Sequence, residues 1–218
     1  MKSNLHYHTV TPLLHNILKT LMASKEFDAF RLVGGTALSL YKGHRLSVDI
    51  DLFTDAEYGS IDFAAITTFL RANYPYVDTG NDDIIGFGKS YFVGDNQGDC
   101  IKLDIYYTTD HFIDEIQLID GIRLASIEEI IAMKINVVSR GGRKKDFWDI
   151  HELKDDYTID EMVALHLKKH EHTHDRELIR TNFTEFENAD VDFDPECVRN
   201  KSWEIIKLDM IDYVKELT

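Results

Sequence analysis

The sequence predicts an α+β protein: a mixed sheet with flanking helices over residues 1–125, then a helical part over 126–218. Three observations carry this. A short apolar run, Phe30 to Val33, stops at Gly34-Gly35 and is followed by a short helical stretch. Two runs rich in β-formers, Val48 to Phe53 and Cys100 to Tyr107, hold isolated carboxylates inside apolar surroundings. After Ser126 the apolar residues recur at helical rather than strand spacing.

The elements follow in order. Residues 11–23 read as a helix, with Thr11 as cap and Pro12 in the first turn. Phe30 to Val33 reads as a strand, Thr36 to Tyr41 as a short helix and Val48 to Phe53 as the next strand. Ile61 to Asn73 is helical and Pro75 breaks it. Ile84 to Val93 and Cys100 to Tyr107 form a hairpin across the polar stretch Gly94-Asp95-Asn96-Gln97-Gly98, with Cys100 as a small core residue. Ser126-Ile127-Glu128-Glu129 has capping-box spacing ahead of the run Ile130 to Val138. Further helices are expected at about 146–155, 159–170, 174–187 and 200–216.

A chain of 218 residues with 44% hydrophobic and 29% charged content can bury a proper core in water. No apolar run reaches the roughly 18 residues of a membrane span, and no signal-peptide pattern opens the chain, so a cytoplasmic protein with no membrane partner is expected. The two cysteines, Cys100 and Cys197, lack metal-ligand spacing. A net charge of −15 argues against nonspecific nucleic-acid binding over the whole surface. Lys134, Arg140, Arg143, Lys144 and Lys145 nonetheless cluster, and a polyanion such as RNA is expected to enter along them.

Asp49 and Asp51, at i and i+2 of a strand, project on one face a few ångströms apart. Carboxylates held so close raise each other's pKa unless a cation lies between them, and Mg²⁺ is the common answer. The alternative is a pair of solvated aspartates at a strand end, which the flanking apolar residues disfavour. Asp104 in a neighbouring strand is the candidate third ligand and can take the proton of an attacking hydroxyl; its alternative is a salt bridge to Lys102 or Arg123. Gly34, Gly35 and Thr36 are expected to bind a triphosphate through backbone N–H groups and the Thr hydroxyl. Between them and the aspartates lie Arg45 and Ser47, with Arg45 set either to neutralise phosphate or to orient a carboxylate.

Lys134 has Ile130, Ile131, Val137 and Val138 as helical neighbours, so it either snorkels to the rim or faces a buried anion such as a triphosphate. Asp146 and Asp149 share a helical face and would contact the nucleotide, orient Lys134 or simply favour the helix dipole. His166, His170 and His174 fall at i, i+4 and i+8, a Zn²⁺-capable spacing, but the charged residues around them favour a solvated helix end.

At these residues the chain resembles the AbiEii/AbiGii toxin-type branch of the nucleotidyltransferase superfamily, which includes the MenT-like toxins. The resemblance rests on Gly34-Gly35-Thr36-Ala37-Leu38, on the segment from His44-Arg45 through Ser47, Asp49 and Asp51 to Leu52-Phe53, and on Asp104, Lys134 and the Arg143 to Asp149 element. It implies a polymerase-β-like nucleotidyltransferase core with a helical C-terminal part. It also implies transfer of a nucleoside monophosphate from an NTP with Mg²⁺, onto the 3′ end of tRNA in some toxin relatives, and a cognate antitoxin. The expected reaction is attack of an acceptor hydroxyl on the α-phosphate. Two Mg²⁺ ions held by Asp49, Asp51 and Asp104 would assist, and Gly35, Thr36 and Lys134 would hold the β- and γ-phosphates. The competing readings are a non-catalytic NTP- or partner-binding pseudoenzyme, and transfer to a small molecule or protein.

Overall fold

The computed structural model describes residues 5–79, 86–173 and 175–217. Its elements are α1 (Pro12–Met22), β1 (Arg31–Leu32), α2 (Gly34–Lys42), β2 (Asp49–Thr54), α3 (Phe63–Asn73), β3 (Tyr76–Asp78), β4 (Gly88–Asn96) and β5 (Asp99–Tyr107). There follow β6 (Gln117–Ile119), β7 (Ile122–Leu124), α4 (Ile127–Val138), α5 (Lys144–Leu153), α6 (Ile159–Lys169), α7 (Arg176–Asn182), α8 (Glu187–Asp190) and α9 (Trp203–Lys215). The architecture is the expected one: a mixed sheet flanked by helices, then a helical C-terminal part.

The seven strands run in the order β3-β4-β5-β2-β1-β7-β6. β2 pairs parallel with β5 and antiparallel with β1, and β1 pairs parallel with β7. The β2–β5 register sets Asp51 beside Asp104. Both strands alternate: Ile50, Leu52, Leu103 and Ile105 are buried, while Asp49, Asp51, Lys102 and Asp104 lie half-buried on the other face. Period-two alternation lets one strand serve a core and a polar site together. Helix α1 buries Leu14, Ile17, Leu18 and Leu21 and packs against β2, β5 and β7. Helices α4 and α5 pack on α2, α6 on α4, and α9 on α5. Among the described residues no helix is long and apolar enough to cross a membrane.

Several elements differ from the expectation. The Gly-Gly-Thr stretch is the first turn of α2 itself, since the helix starts at Gly34. The β4–β5 loop is only Gln97-Gly98; Gly94 to Asn96 stay in β4 across an irregularity in register. Ile84 and Ile85, assigned to this strand, lie outside the described residues. Cys100 is half-buried at the edge of β5 because the alternation gives the core face to Ile101, Leu103 and Ile105. The hairpin β6–β7 was not anticipated, although Asp120-Gly121 is a turn signal and both residues take positive φ (52° and 80°). The stretch 174–187 splits into α7 and α8.

The Ser126 capping box forms by half. The Ser126 hydroxyl accepts from the Glu129 N–H (3.0 Å), but the fully buried Glu129 carboxylate turns away to the Ile113 N–H and Lys169 Nζ, each at 2.7 Å. That pair joins α4 to α6.

Candidate functional site

The backbone enters α2 directly from β1, and the Val33 N–H is spent on the Asp51 carbonyl (2.9 Å). No side chain caps this helix, so its first-turn amides are left to face whatever occupies the space beyond them. That space is a cleft of about 390 Å³, in the size range of small-molecule sites. Gly34, Gly35, Asp51, Lys134, Lys145 and Asp146 form its charged side; Phe53, Tyr107, Thr108, Thr109, Met133, Asn136 and Val137 also line it, with Lys169 and His170.

Both glycines are dictated by close approach. Gly34 has φ +69°, and a Cβ there would lie 2.6 Å from Asp51 Oδ2. A Cβ on Gly35 would lie 2.2 Å from Arg45 Nη2. Since that guanidinium is pinned, Gly35→Ala is expected to lower stability by about 1–3 kcal/mol in urea unfolding; an unchanged midpoint would mean that Arg45 swings freely.

Asp51 lacks a hydrogen-bond or ion-pair partner among the described residues. Burial first, then the like charges of Asp104 and Asp49, pushes its carboxyl up to about 6. Asp49 is more open and has Lys145 Nζ at 3.7 Å. Asp104 is beside Asp51 but engaged: Lys102 Nζ and Ser90 Oγ donate to its two oxygens, each at 2.6 Å. The Lys102 pair was the bland alternative for this residue, and it is present. As they stand, no three His, Cys, Asp or Glu among the described residues form a ready metal cage.

Lys134 is buried and reaches the cleft. Its Nζ donates to Asp146 Oδ1 (2.6 Å) and lies 2.7 Å from Asp149 Oδ2. Burial alone would lower its pKa, but the carboxylates of Asp149 and Asp146 outweigh that and hold the ammonium charged. Asp149 is in turn gripped by Arg45, through Nε at 2.7 Å and Nη2 at 2.9 Å, and by His44 Nε2 at 2.8 Å. Burial works to raise its pKa; Arg45 and Lys134 overcome it and keep the carboxyl well below the usual range. Asp146 also accepts from the Arg143 N–H (3.0 Å) at the start of α5.

Of the residues singled out from sequence, Gly34, Gly35, Asp51, Lys134 and Asp146 meet in the cleft. Arg45 faces away, taking its carboxylate-orienting role. Thr36 and Ser47 are buried behind it: their hydroxyls share a 2.7 Å bond, and Thr36 also donates to the Asp49 carbonyl. They tie α2 to β2. Sequence reasoning missed Asn136, Met133 and the Thr108-Thr109 wall, which carry no motif signal. It placed Lys145 only in a polyanion track.

Four of the five cations in that track face carboxylates, and Arg140 is exposed. Arg143 pairs with Asp192 (3.0 Å), Lys144 with Asp194 (2.7 Å), Lys134 with Asp146 and Asp149, and Lys145 lies near Asp49. The acids on Arg143 and Lys144 come from residues 192–194, beside a segment that bonds to the chain leading into β2 (Leu46 N–H to Glu196 O, 2.9 Å). Of the histidine run, His166 and His170 are buried rather than set at a solvated helix end, and His170 Nδ1 bonds Asp110 Oδ2 at 2.8 Å; among the described residues no metal-holding cluster forms. His174 lies outside the described residues.

A family model described as a nucleotidyl transferase AbiEii toxin of a type IV toxin–antitoxin system matches residues 16–216. No curated protein sequence matches the chain. Among solved structures, JHP933 from Helicobacter pylori is similar over 94% of this chain and 88% of that chain, at 20% identity and a TM-score of 0.59. MenT4, a nucleotidyltransferase toxin from Mycobacterium tuberculosis, is similar over 94% and 82%, at 17% identity and a TM-score of 0.57. At these identities the structures speak for the fold, and the family match speaks for the chemistry.

Proposed function

The chain belongs to the AbiEii family of nucleotidyltransferase toxins of type IV toxin–antitoxin systems, and from that premise we propose that it moves a nucleoside monophosphate from an NTP to an acceptor hydroxyl with Mg²⁺. The carrying observation is the meeting of Asp51, beside Asp104 in register, with the uncapped start of α2 and Lys134 in one cleft. The residues suit a hard cation: Asp51 is a carboxylate without a donor, held among like charges. Asp51 and Asp49 would hold Mg²⁺, joined by Asp104 once it releases Lys102, with two ions as the proposed number. Bound there, the metal supplies charge neutralisation and lowers the pKa of a coordinated hydroxyl.

The protein's own groups do the rest by placement. The Gly34 and Gly35 amides and the Lys134 ammonium hold triphosphate oxygens, and Lys145 adds a second cation at the cleft. Asp146 and Asp149 keep Lys134 extended and charged. The acceptor oxygen attacks the α-phosphorus, the bond to pyrophosphate breaks, and the hydroxyl proton passes to Asp104 or solvent.

We take the acceptor to be the terminal hydroxyl of an RNA, tRNA included, which needs only the cleft mouth and not a continuous basic track. A small cationic or protein acceptor is the second reading, favoured by the −15 charge and by the internally paired Arg143 and Lys144. The family also implies a cognate antitoxin, and we place the activity in the cytoplasm. Incubation with Mg²⁺, each labelled NTP, total RNA and clarified lysate should label the RNA fraction and release pyrophosphate. Label confined to small molecules or protein would overturn the RNA reading; no label in any fraction would overturn transfer.

A further inference from the structure

We infer that the apolar side of the cleft reads the nucleobase, with Asn136 of α4 and the His170 ring, just past α6, selecting bases that bear an exocyclic amino group over uracil. The inference rests on the NTP site proposed above and extends it to the identity of the nucleotide.

The observation behind it is a pair of unmet acceptors. Asn136 and His170 both line the cleft. Asn136 Oδ1 and His170 Nε2 are each buried without a hydrogen-bond partner among the described residues. Buried polar atoms are nearly always paired, and an orphan destabilises the fold unless something supplies a partner. Two residues of one ligand-sized cleft that each carry an orphan acceptor therefore point to a ligand with N–H donors.

The ring of His170 is fixed in a particular sense. Its Nδ1 lies 2.8 Å from Asp110 Oδ2. A carboxylate can only accept, so Nδ1 carries the hydrogen and Nε2 offers a lone pair. Burial lowers the ring's pKa and keeps it neutral. The wall is rigid as well. Lys169 Nζ bonds the His111 carbonyl at 3.1 Å and pairs with the buried Glu129 at 2.7 Å, holding residues 110–111 against α6. Met133 and Val137, one helical turn apart on α4, give the base an apolar surface.

A flat apolar surface with two acceptors at its edge suits adenine, cytosine or guanine, whose amino groups present two N–H bonds. Uracil presents one, between two carbonyls that would face the acceptors. A site whose buried polar atoms go unpaired with the wrong ligand discriminates strongly.

The test measures Mg²⁺-dependent stabilisation of the full chain by ATP, CTP, GTP, UTP and inorganic tripolyphosphate, with Kd from the concentration dependence. The wild type should bind UTP at least about tenfold more weakly than its best NTP. Asn136→Ala and His170→Ala should flatten that preference while leaving tripolyphosphate binding unchanged. His170→Gln, which places an amide oxygen near the former Nε2 position, should keep it. Equal binding of all four NTPs by the wild type, or an unchanged preference in Asn136→Ala, would overturn the inference. If neither NTPs nor tripolyphosphate stabilise the wild type, the nucleotide site itself falls, and this reading with it.

Discussion

Asp51→Asn is expected to reduce nucleotidyl transfer by at least about a hundredfold while making the metal-free protein more stable at neutral pH. The two effects share one cause. In the folded chain the Asp51 carboxyl is buried against Asp104 and Asp49, which raises it from 3.8 to about 6. Below 3.8 the folded and unfolded chains are both protonated there, and the group contributes nothing. Between 3.8 and about 6 the unfolded chain ionises first, so stability falls as pH rises through that window. Above about 6 the penalty is complete. At 1.36 kcal/mol per pKa unit it reaches at most about 3 kcal/mol, less what solvent at the cleft mouth screens. Asparagine keeps the shape without the charge. Urea unfolding in EDTA should therefore give matching curves at pH 3.5 and a more stable variant at pH 7.5. Added Mg²⁺ should raise the wild type and leave the variant unmoved. Equal stability at both pH values would mean that Asp51 is not crowded by like charges, and near-normal transfer by the variant would remove it from the site.

What was legible in the sequence was local. The spacing of Asp49 and Asp51 in an apolar run is a statement about one strand, and β2 presents both on one face as that spacing requires. The same holds for Thr11 capping α1 and for the helical periodicity after Ser126. Asp104 could be named because it was the lone acid in a β-rich run, yet its register opposite Asp51 is a property of the sheet. What was not legible depends on partners far apart in the chain. Arg143 and Lys144 read as free cations until Asp192 and Asp194 are brought onto them. Arg45 looks equally suited to phosphate or carboxylate, and only the fold decides, by burying it against Asp149. Glu129 sits at the right spacing for a capping box, but an ion pair to Lys169 outweighs a helix-end hydrogen bond inside the core. The Asp120-Gly121 hairpin was readable in principle; its three-residue strands are too short to show alternation.

Asp149→Ala should have the largest effect on the fold, a loss of about 3–5 kcal/mol, because it strands two buried cations at once. Arg45 and Lys134 are 3% and 6% exposed, and Asp149 is fully buried between them. Removing the carboxylate leaves the guanidinium without its two-pronged partner and the ammonium with Asp146 alone. A buried charge that loses its partner costs far more than the intact pair contributes. Taking out both charges should thus be milder than the sum of the single changes. Arg45→Met with Asp149→Leu is expected to recover about 1–3 kcal/mol in a double-mutant cycle, and strict additivity would show that the two do not act as a unit. The acid limb supplies an independent check. The folded Asp149 carboxyl lies well below 3.8, so its contribution is complete above 3.8 and fades only as pH falls toward that lower folded value. Wild type and Asp149→Ala should therefore differ most at neutral pH and converge in strong acid, the reverse of the pattern for Asp51→Asn. The two substitutions sit in one site, and their opposite pH profiles separate its two jobs. Asp51 is held under electrostatic strain that a cation would relieve, whereas Asp149 is the anchor that keeps Lys134 aimed into the cleft.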